Sequence, residues 1–457
     1  MDNDMTEQES HAQAAYDRRG FLKRTAAAGV AVGSAGSLWA ALGGTSGASL
    51  PRASSARPLQ MLAWDVEPAQ IKANVAAFTR QTGDKVTLGI IPGSSYAAAL
   101  QTRRQGGALL DVYYNYMVDS GRFNAAGWSA KLNKFSGAEQ MIADMFPSSR
   151  SRYQLSNGQI ISAPYFTAVH LLHYNEKFLK QINVTAPPST LQEIYTQSKK
   201  LKSAGITQSP YDAFWRKDFL EQYLFVYFLG QGITPFDAKD NPVFGDHAAA
   251  AEEVLAWWQT MYQEGLTPKT ILTPDPNANA VNMAHGTTAF LELHHYYLQI
   301  IRSGGGPQAN NVQLSYRPPG TTGQTLQIGE VLQMGNKSGS SASRAWDLLR
   351  FYGWKDNNGR FTTFTAWAKS LALLAPYPAL FKDPGFVKAF PSYYNLPALE
   401  KVHRNAEVVP TRVRPWYPAF ATAVGNRISS LVLGQATPKA TLQGLVSDAR
   451  TAKLNGQ

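Results

Sequence analysis

Few side chains in this 457-residue chain stand in a pattern that is typical of catalysis. It has no cysteine, no G-x-S-x-G nucleophile turn and no G-x-x-x-x-G-K-S/T phosphate loop. The adjacent carboxylates Glu252 and Glu253 fall on a helical pattern and are typical of a solvated face. Because no nucleophile or acid–base set is evident, we predict that the protein is not an enzyme and needs no cofactor.

The eight histidines give no metal-binding pattern, since H-E-x-x-H is absent. His294 and His295 are adjacent on a predicted strand, where neighbouring side chains point to opposite faces. His170 and His173 flank the apolar pair of H-L-L-H, which indicates a structural role. We therefore predict no metal site.

Aromatic side chains are plentiful, with 10 Trp, 21 Tyr and 21 Phe, and several stand in polar or loop-like contexts. A ring offers a flat apolar face, and planar polar groups beside it bind hydroxyls. Charged partners roughly double the strength of such hydrogen bonds. Rings in such contexts are therefore candidates for contact with a ligand.

Alternating strand and helix patterns position these side chains. The run LQMLAW at residues 59–64 predicts a buried strand, and apolar residues at helical spacing follow until Gly83. KVTLGII, then SSYAAALQTRRQGGAL, then LLDVYYNY predict a strand, a helix and a third strand. Such alternation indicates a parallel α/β sheet, and it recurs along a chain long enough for two domains.

The amino-terminal segment DRRGFLKRTAAAGVAVGSAGSLWAAL, residues 17–42, resembles a twin-arginine export signal. Its apolar run is rich in Ala and Gly and is shorter than the roughly 20 residues that span a membrane. The matching residues are Arg18, Arg19, Phe21, Leu22 and Lys23, and Asp17 departs from the pattern.

Small residues near Ala48 and Ala56 suit cleavage of this segment. We predict that residues 1–57 are a removed signal and linker, with a buried core helix or a retained anchor as the alternatives. Without a cysteine for a lipid anchor, the periplasm is the predicted location.

The formal charge is +11 in total and about +10 after residue 57. A basic balance suits nucleic acid, anionic lipid or anionic solutes. Here the basic residues are scattered, and the tightest cluster is K-K-L-K at residues 199–202. We interpret them as a solvated basic surface and predict no nucleic-acid partner.

Five stretches, in order, resemble bacterial extracellular solute-binding protein family 1, the sugar-binding proteins of ABC importers that include maltodextrin binders. The most specific is LSNGQIISAPYFTAVHLLHYNEKFLKQINVTAPPSTLQEIYTQSKKLKSAGI at residues 155–206. The others are AAFTRQTGDKVTL, LLDVYYNYMVDSGRFNAAGWSAKLNKF, IGEVLQMGNKSGSSASRAWDLLRFY and RPWYPAFATAVGNRISSLVLGQATPKATLQGLVSDA.

The resemblance implies a type II periplasmic binding protein-like fold of two α/β lobes joined by crossing strands. Lobe one would hold residues 59–166 and 329–376, and lobe two residues 167–328 and 377–457. A ligand between the lobes would close them by hinge bending. The implied function is capture of a carbohydrate by a monomer that delivers it to the membrane subunits of an ABC permease.

The resemblance also implies where the ligand binds. Asn115 stands where the family often has a stacking aromatic, and Tyr296 aligns with a family tryptophan. In lobe one the implied contacts are Trp64, Asp65, Glu67, Asn115, Tyr116, Asp119, Tyr165 and Glu330. In lobe two they are Tyr211, Trp215, Glu292, His294, Tyr296, Trp416 and Tyr417.

Other solutes remain open as alternatives: a polyamine, which would need several carboxylates, a phosphorylated compound, which would need arginines, or a peptide. An enzyme exported by the twin-arginine route is a further alternative.

Overall fold

The computed structural model describes residues 56–456, and the predicted signal lies almost entirely outside them. Ten strands in this part form two five-stranded sheets, which we call sheet A and sheet B. The strands are β1 Leu59–Trp64, β2 Val86–Ile91, β3 Val112–Asn115, β4 Ala163–Pro164, β5 Ala168–Asn175, β6 Tyr211–Ala213, β7 Phe290–His294, β8 Val312–Leu314, β9 Gln327–Ile328 and β10 Val331–Met334.

Sheet A has the order β2-β1-β3-β10-β4. The first three strands are parallel, as the sequence predicts, with Trp64 beside Ile91 and Met61 beside Val112. β1 is an inner strand between β2 and β3, and its apolar run is buried on both faces. β10 enters antiparallel between β3 and β4, where Val331 pairs with both Asn115 and Pro164.

Sheet B has the order β6-β7-β5-β8, and β9 also pairs with β5. The long strand β5 is antiparallel to β7, β8 and β9, and β6 is parallel to β7. β5 is almost wholly buried, which explains why its A-V-H-L-L-H-Y-N sequence carries no clean alternation of polar and apolar residues.

Helices cover both sheets. Several helices begin at a short polar side chain that accepts a hydrogen bond from a backbone N–H group of the first turn, as at Thr190, Asp275 and Thr437. The helices are α1 Pro68–Thr82, α2 Gly93–Gln105, α3 Met117–Ala125, α4 Ala138–Ala143, α5 Glu176–Gln181, α6 Leu191–Ser203, α7 Leu220–Gly230, α8 Ala248–Gln263, α9 Pro276–His285, α10 Tyr297–Ser303, α11 Ala342–Gly353, α12 Thr362–Leu371, α13 Pro384–Ala389, α14 Leu396–Asn405, α15 Tyr417–Val432 and α16 Pro438–Asn455.

Three segments cross between the sheets and contact one another. Residues 165–167 link β4 to β5, residues 329–330 link β9 to β10, and residues 372–376 follow α12. Tyr165 N donates to Glu330 O at 2.9 Å, and Thr167 N donates to Leu374 O at 2.8 Å. The predicted lobe boundaries fall at or beside these crossings, and the assignment of whole segments to lobes stays a prediction.

Gly329 is required where two crossings meet. Its φ is 136°, and an added Cβ would overlap the carbonyl oxygen of Phe166. Gly329→Ala should therefore lower the free energy of unfolding by about 2 kcal/mol, measured by urea denaturation. Gly359→Ala is the matched control, since Gly359 has a φ of 74° but no neighbour within 4 Å of an added Cβ. Equal losses in the two variants would contradict a special role for the crossing.

Within residues 56–456, no helix has both the length and the apolar character needed to cross a bilayer.

Candidate functional site

The site begins where β1 and β3 end, because the carboxyl ends of neighbouring parallel strands meet at one edge of a sheet. The Trp64 ring is buried and stacks on Tyr116, with ring centroids 5.4 Å apart and planes 24° apart. Tyr116 is half-buried and presents the outer face of this pair. Asp65 and Glu67 are exposed just beyond β1.

Two of these residues have clear local roles. The Asp65 carboxylate accepts a hydrogen bond from Gly93 N at 2.8 Å, at the start of α2. Glu67 precedes α1 with a φ of 49°, a left-handed conformation that is uncommon outside glycine. Backbone strain of this kind is concentrated at ligand sites.

Glu330 lies on the second crossing, beside Tyr116. Its Oε2 accepts a hydrogen bond of 2.6 Å from Met117 N, the first residue of α3. Burial raises the pKa of Glu330 to about 7. Burial and then the charge of Glu330 raise the pKa of Tyr116. A carboxyl group in this position can either accept or donate a hydrogen bond near neutral pH.

Tyr296 reaches the same region from the end of β7 in sheet B. It is half-buried, stacks on Tyr297 with centroids 4.8 Å apart, and meets the edge of Phe166 on the first crossing. Its hydroxyl lies 3.0 Å from His294 Nδ1. Burial raises the pKa of Tyr296, and Glu330 adds to that effect. Tyr116 thus precedes Met117, which binds the Glu330 carboxyl group, and Tyr296 contacts Phe166, whose N–H lies 3.5 Å from Glu330 O.

Arg216 follows β6 and contacts two rings that also touch each other, with its guanidinium 4.9 Å from the centroid of Phe214 and 5.0 Å from that of Phe219. Its guanidinium binds Asp218 through two hydrogen bonds of 2.6 and 2.8 Å. The charges of Arg216 and Asp218 act on the pKa of Tyr116 after burial and Glu330. A charged pair that follows β6 in sheet B therefore contributes to the electrostatic environment of Tyr116.

Phe219 and Arg216 are absent from the contacts predicted from sequence. The F-W-R-K-D-F run at residues 214–219 places a cation between aromatics, and this signal could have indicated them. Phe219 is half-buried, whereas Trp215 is fully buried.

Several predicted contacts lie in the interior of the sheet B half. Trp215 Nε1 donates to Tyr227 Oη at 3.2 Å, and Tyr211 Oη donates to Glu292 Oε2 at 2.7 Å. Trp215, Tyr211 and Glu292 are each at most 1 % exposed. Their contacts are with protein in this structure, so ligand binding by them stays a prediction without geometric support.

Three other residues predicted to bind the ligand are also buried and contact protein groups in this structure. Asn115 is buried and its amide donates to Gln333 Oε1 at 2.8 Å. Tyr417 is buried and donates to Glu221 Oε2 at 2.7 Å. Trp416 is 8 % exposed and packs against Phe236.

The two remaining positions are Tyr165, on the first crossing, and Asp119, in α3. Tyr165 is buried against Tyr114, with ring centroids 4.2 Å apart. Asp119 is half-buried and pairs with Arg122 at 2.8 Å.

Glu292 makes stability depend on pH. Burial raises its pKa from 4.5 to about 7, so the folded state keeps a proton that the unfolded state releases in this window. Stability therefore falls as pH rises from about 4.5 to about 7. Glu292→Gln removes this titration, so relative to the native chain the variant should gain up to roughly 3 kcal/mol between about pH 5 and about pH 8. Urea denaturation at both pH values measures it, and a pH-independent difference would contradict it.

In the part of the chain that the structure describes, no cluster of three or more His, Asp or Glu side chains could hold a metal ion.

Two α/β sheets joined by crossing segments, with aromatic and carboxyl groups meeting at the junction, define a type II periplasmic binding protein fold. The family described as "Bacterial extracellular solute-binding protein" matches residues 64–358. The chain belongs to this family, which confirms the family and fold predicted from its sequence.

Known proteins agree with this assignment. A probable ABC transporter-binding protein of Deinococcus radiodurans is 23 % identical over 403 residues, covering 85 % of this chain and 91 % of its own. Maltose-bound MalE3 of T. maritima has a TM-score of 0.74 at 19 % identity and covers 86 % of this chain and 99 % of its own. The GacH receptor of Streptomyces glaucescens, studied with acarbose, has a TM-score of 0.73 at 15 % identity, covering 88 % and 100 %.

A ribitol complex from Agrobacterium radiobacter K84 has a TM-score of 0.71 at 16 % identity, covering 86 % of this chain and 98 % of its own. By its family, the protein is thus a bacterial extracellular solute-binding protein.

Proposed function

We propose that the protein captures a carbohydrate or sugar alcohol in the periplasm and delivers it to the membrane permease of an ABC importer. One observation carries the proposal: half-buried rings from both sheets lie beside the crossings, Tyr116 next to the residue that binds the Glu330 carboxyl group and Tyr296 against Phe166. Rings bind the apolar faces of a sugar, and a carboxyl group binds its hydroxyls. Structures similar in fold hold maltose and ribitol.

The mechanism needs no bond to form or break. A solute that contacts Tyr116 on one sheet and Tyr296 on the other favours the arrangement in which the two halves are close, and it shifts the population by its differential affinity. The permease would recognise that closed arrangement. The twin-arginine route of export and the monomeric state belong to this proposal as well.

A cationic solute such as a polyamine is the second candidate, because Asp65, Glu67 and Glu330 bring three carboxyl groups to one edge of sheet A. A phosphorylated solute has less support. Arg216, which follows β6, is already neutralised through two hydrogen bonds to Asp218.

A thermal-shift screen of residues 57–457 tests the proposal with monosaccharides, sugar alcohols, oligosaccharides, polyamines and sugar phosphates. A ligand at 100 times its dissociation constant should add about 2.7 kcal/mol of stability and raise the melting temperature. Stabilisation by sugars or sugar alcohols supports the proposal. Stabilisation by polyamines or sugar phosphates alone would overturn the substrate class and retain the fold.

A further inference from the structure

The two halves of the molecule touch backbone to backbone at one place near the candidate site. Gly121, in α3, packs so closely on the turn Pro410–Val413 that an added Cβ would overlap the carbonyl oxygen of Val413. The φ of Gly121 is an ordinary helical one, so close approach rather than backbone conformation requires this glycine.

Helix α3 is anchored to sheet A. Its first residue, Met117, donates its backbone N–H to Glu330 beside β10. The β10 residue Gln333 donates from Nε2 to Ser120 O at 3.1 Å. Gly121 therefore moves with sheet A.

The turn at residues 410–413 is anchored to sheet B. Arg412 forms a 2.6 Å ion pair with Glu221 of α7, and Tyr417 binds the other oxygen of that carboxylate. Tyr223, also in α7, donates from its hydroxyl to Glu292 O in β7 at 2.9 Å. The Gly121–Val413 contact thus joins elements held by different sheets.

This contact lies close to Tyr116. Tyr116 immediately precedes α3, and Gly121 is five residues further on, about 7.5 Å along a helix. The backbone contact therefore lies within about that distance of Tyr116.

The accessibility of the aromatic rings also indicates a short binding site. A longer chain of sugar units needs a row of accessible ring faces. Trp215 and Trp416, two of the tryptophans predicted to bind the ligand, bury their rings in the sheet B half. The half-buried rings beside the crossings are Tyr116 and Tyr296.

We infer that the site takes a solute of one or two sugar rings, or a sugar alcohol of similar size, and excludes longer oligosaccharides. The Gly121–Val413 contact is the limit. This inference rests on the proposed function and adds the size class of the substrate.

Isothermal titration calorimetry tests the size limit with glucose, galactose, xylose, ribitol and the gluco-, galacto- and xylo-oligosaccharides of two, three and four units. We expect the tightest binding at one or two units and at least a tenfold loss at three. Tighter binding of three or four units would overturn this inference and leave the proposed function intact. Failure of every carbohydrate and sugar alcohol would overturn both.

Gly121→Ala tests the contact itself. The added methyl group should hold the halves apart, lower affinity for the best small ligand at least tenfold and reduce the discrimination against three units. Gly106→Ala is the control, since Gly106 ends α2 with a φ of −72° and an added Cβ there would lie 3.3 Å from Thr102 O. An unchanged affinity and length profile in a cooperatively folded Gly121→Ala protein would overturn the inference. If that variant fails to fold, calorimetric titration of the native protein with the oligosaccharide series decides whether the size limit exists.

Discussion

Replacement of Glu221 by glutamine should lower the free energy of unfolding by about 3–5 kcal/mol, because it leaves a buried arginine without its counter-ion. The Glu221 and Arg412 side chains are 4 % and 3 % exposed, and their ion pair measures 2.6 Å. The same carboxylate accepts the hydroxyl of Tyr417 at 2.7 Å. Because glutamine is the same size as glutamate, the loss of free energy of unfolding would come from the missing charge and not from a cavity. Urea denaturation followed by tryptophan fluorescence measures it.

The control is the same change at an exposed ion pair. Glu176 and Lys180 form a 2.7 Å pair one helical turn apart, with 46 % and 66 % of their side chains exposed. Exposed pairs contribute about 0.5 kcal/mol or less, so Glu176→Gln should be nearly neutral. Similar losses for Glu176→Gln and Glu221→Gln would show that burial of the pair is not what matters.

Removal of the Tyr116 ring should weaken ligand binding by 10- to 100-fold, which corresponds to about 1.4–2.8 kcal/mol. The ring is half-buried, backed by Trp64 and adjacent to Glu330, and centrally placed aromatics of this kind carry much of the binding energy at a site. Calorimetric titration of Tyr116→Ala with the best ligand from the screen gives the loss.

Two further variants make this result specific. Tyr116→Phe keeps the stacking face and should lose much less affinity than Tyr116→Ala. Tyr393→Ala removes an exposed ring that packs on Arg302 on the surface, and it should bind ligand normally. If Tyr116→Ala bound the ligand with native affinity, the Tyr116 ring would not be part of the binding site.

The sequence allowed the framework to be predicted more completely than the site. β1 to β3 and their helices follow from local patterns, because buried apolar runs and helical spacing are properties of short segments. The insertion of β10 between β3 and β4 is not a local property. It pairs Val331 with residues more than 160 positions earlier, and only the resemblance to a family indicated such a return.

Trp215 illustrates why the site was harder to predict from sequence than the framework. Its polar neighbours indicated an exposed ring, yet it is fully buried while Arg216 is partly exposed. Adjacent residues in an extended segment point to opposite sides, and composition does not reveal which of the two points inward. Trp215 packs against Trp258 of α8, a contact made across 43 residues of sequence. Phe219, at the start of α7, has the half-buried ring instead.

The interleaved order of the strands also decides when this chain can fold during its synthesis. Sheet A lacks its fourth strand until residue 334 has left the ribosome, and the turn that binds Glu221 follows some 80 residues later. Neither half can reach its native state as an early, separate unit. A nascent chain that stops before β10 would expose the edges of β3 and β4, and such unpaired edges invite aggregation. The cell must therefore keep most of this protein soluble until its synthesis is nearly complete.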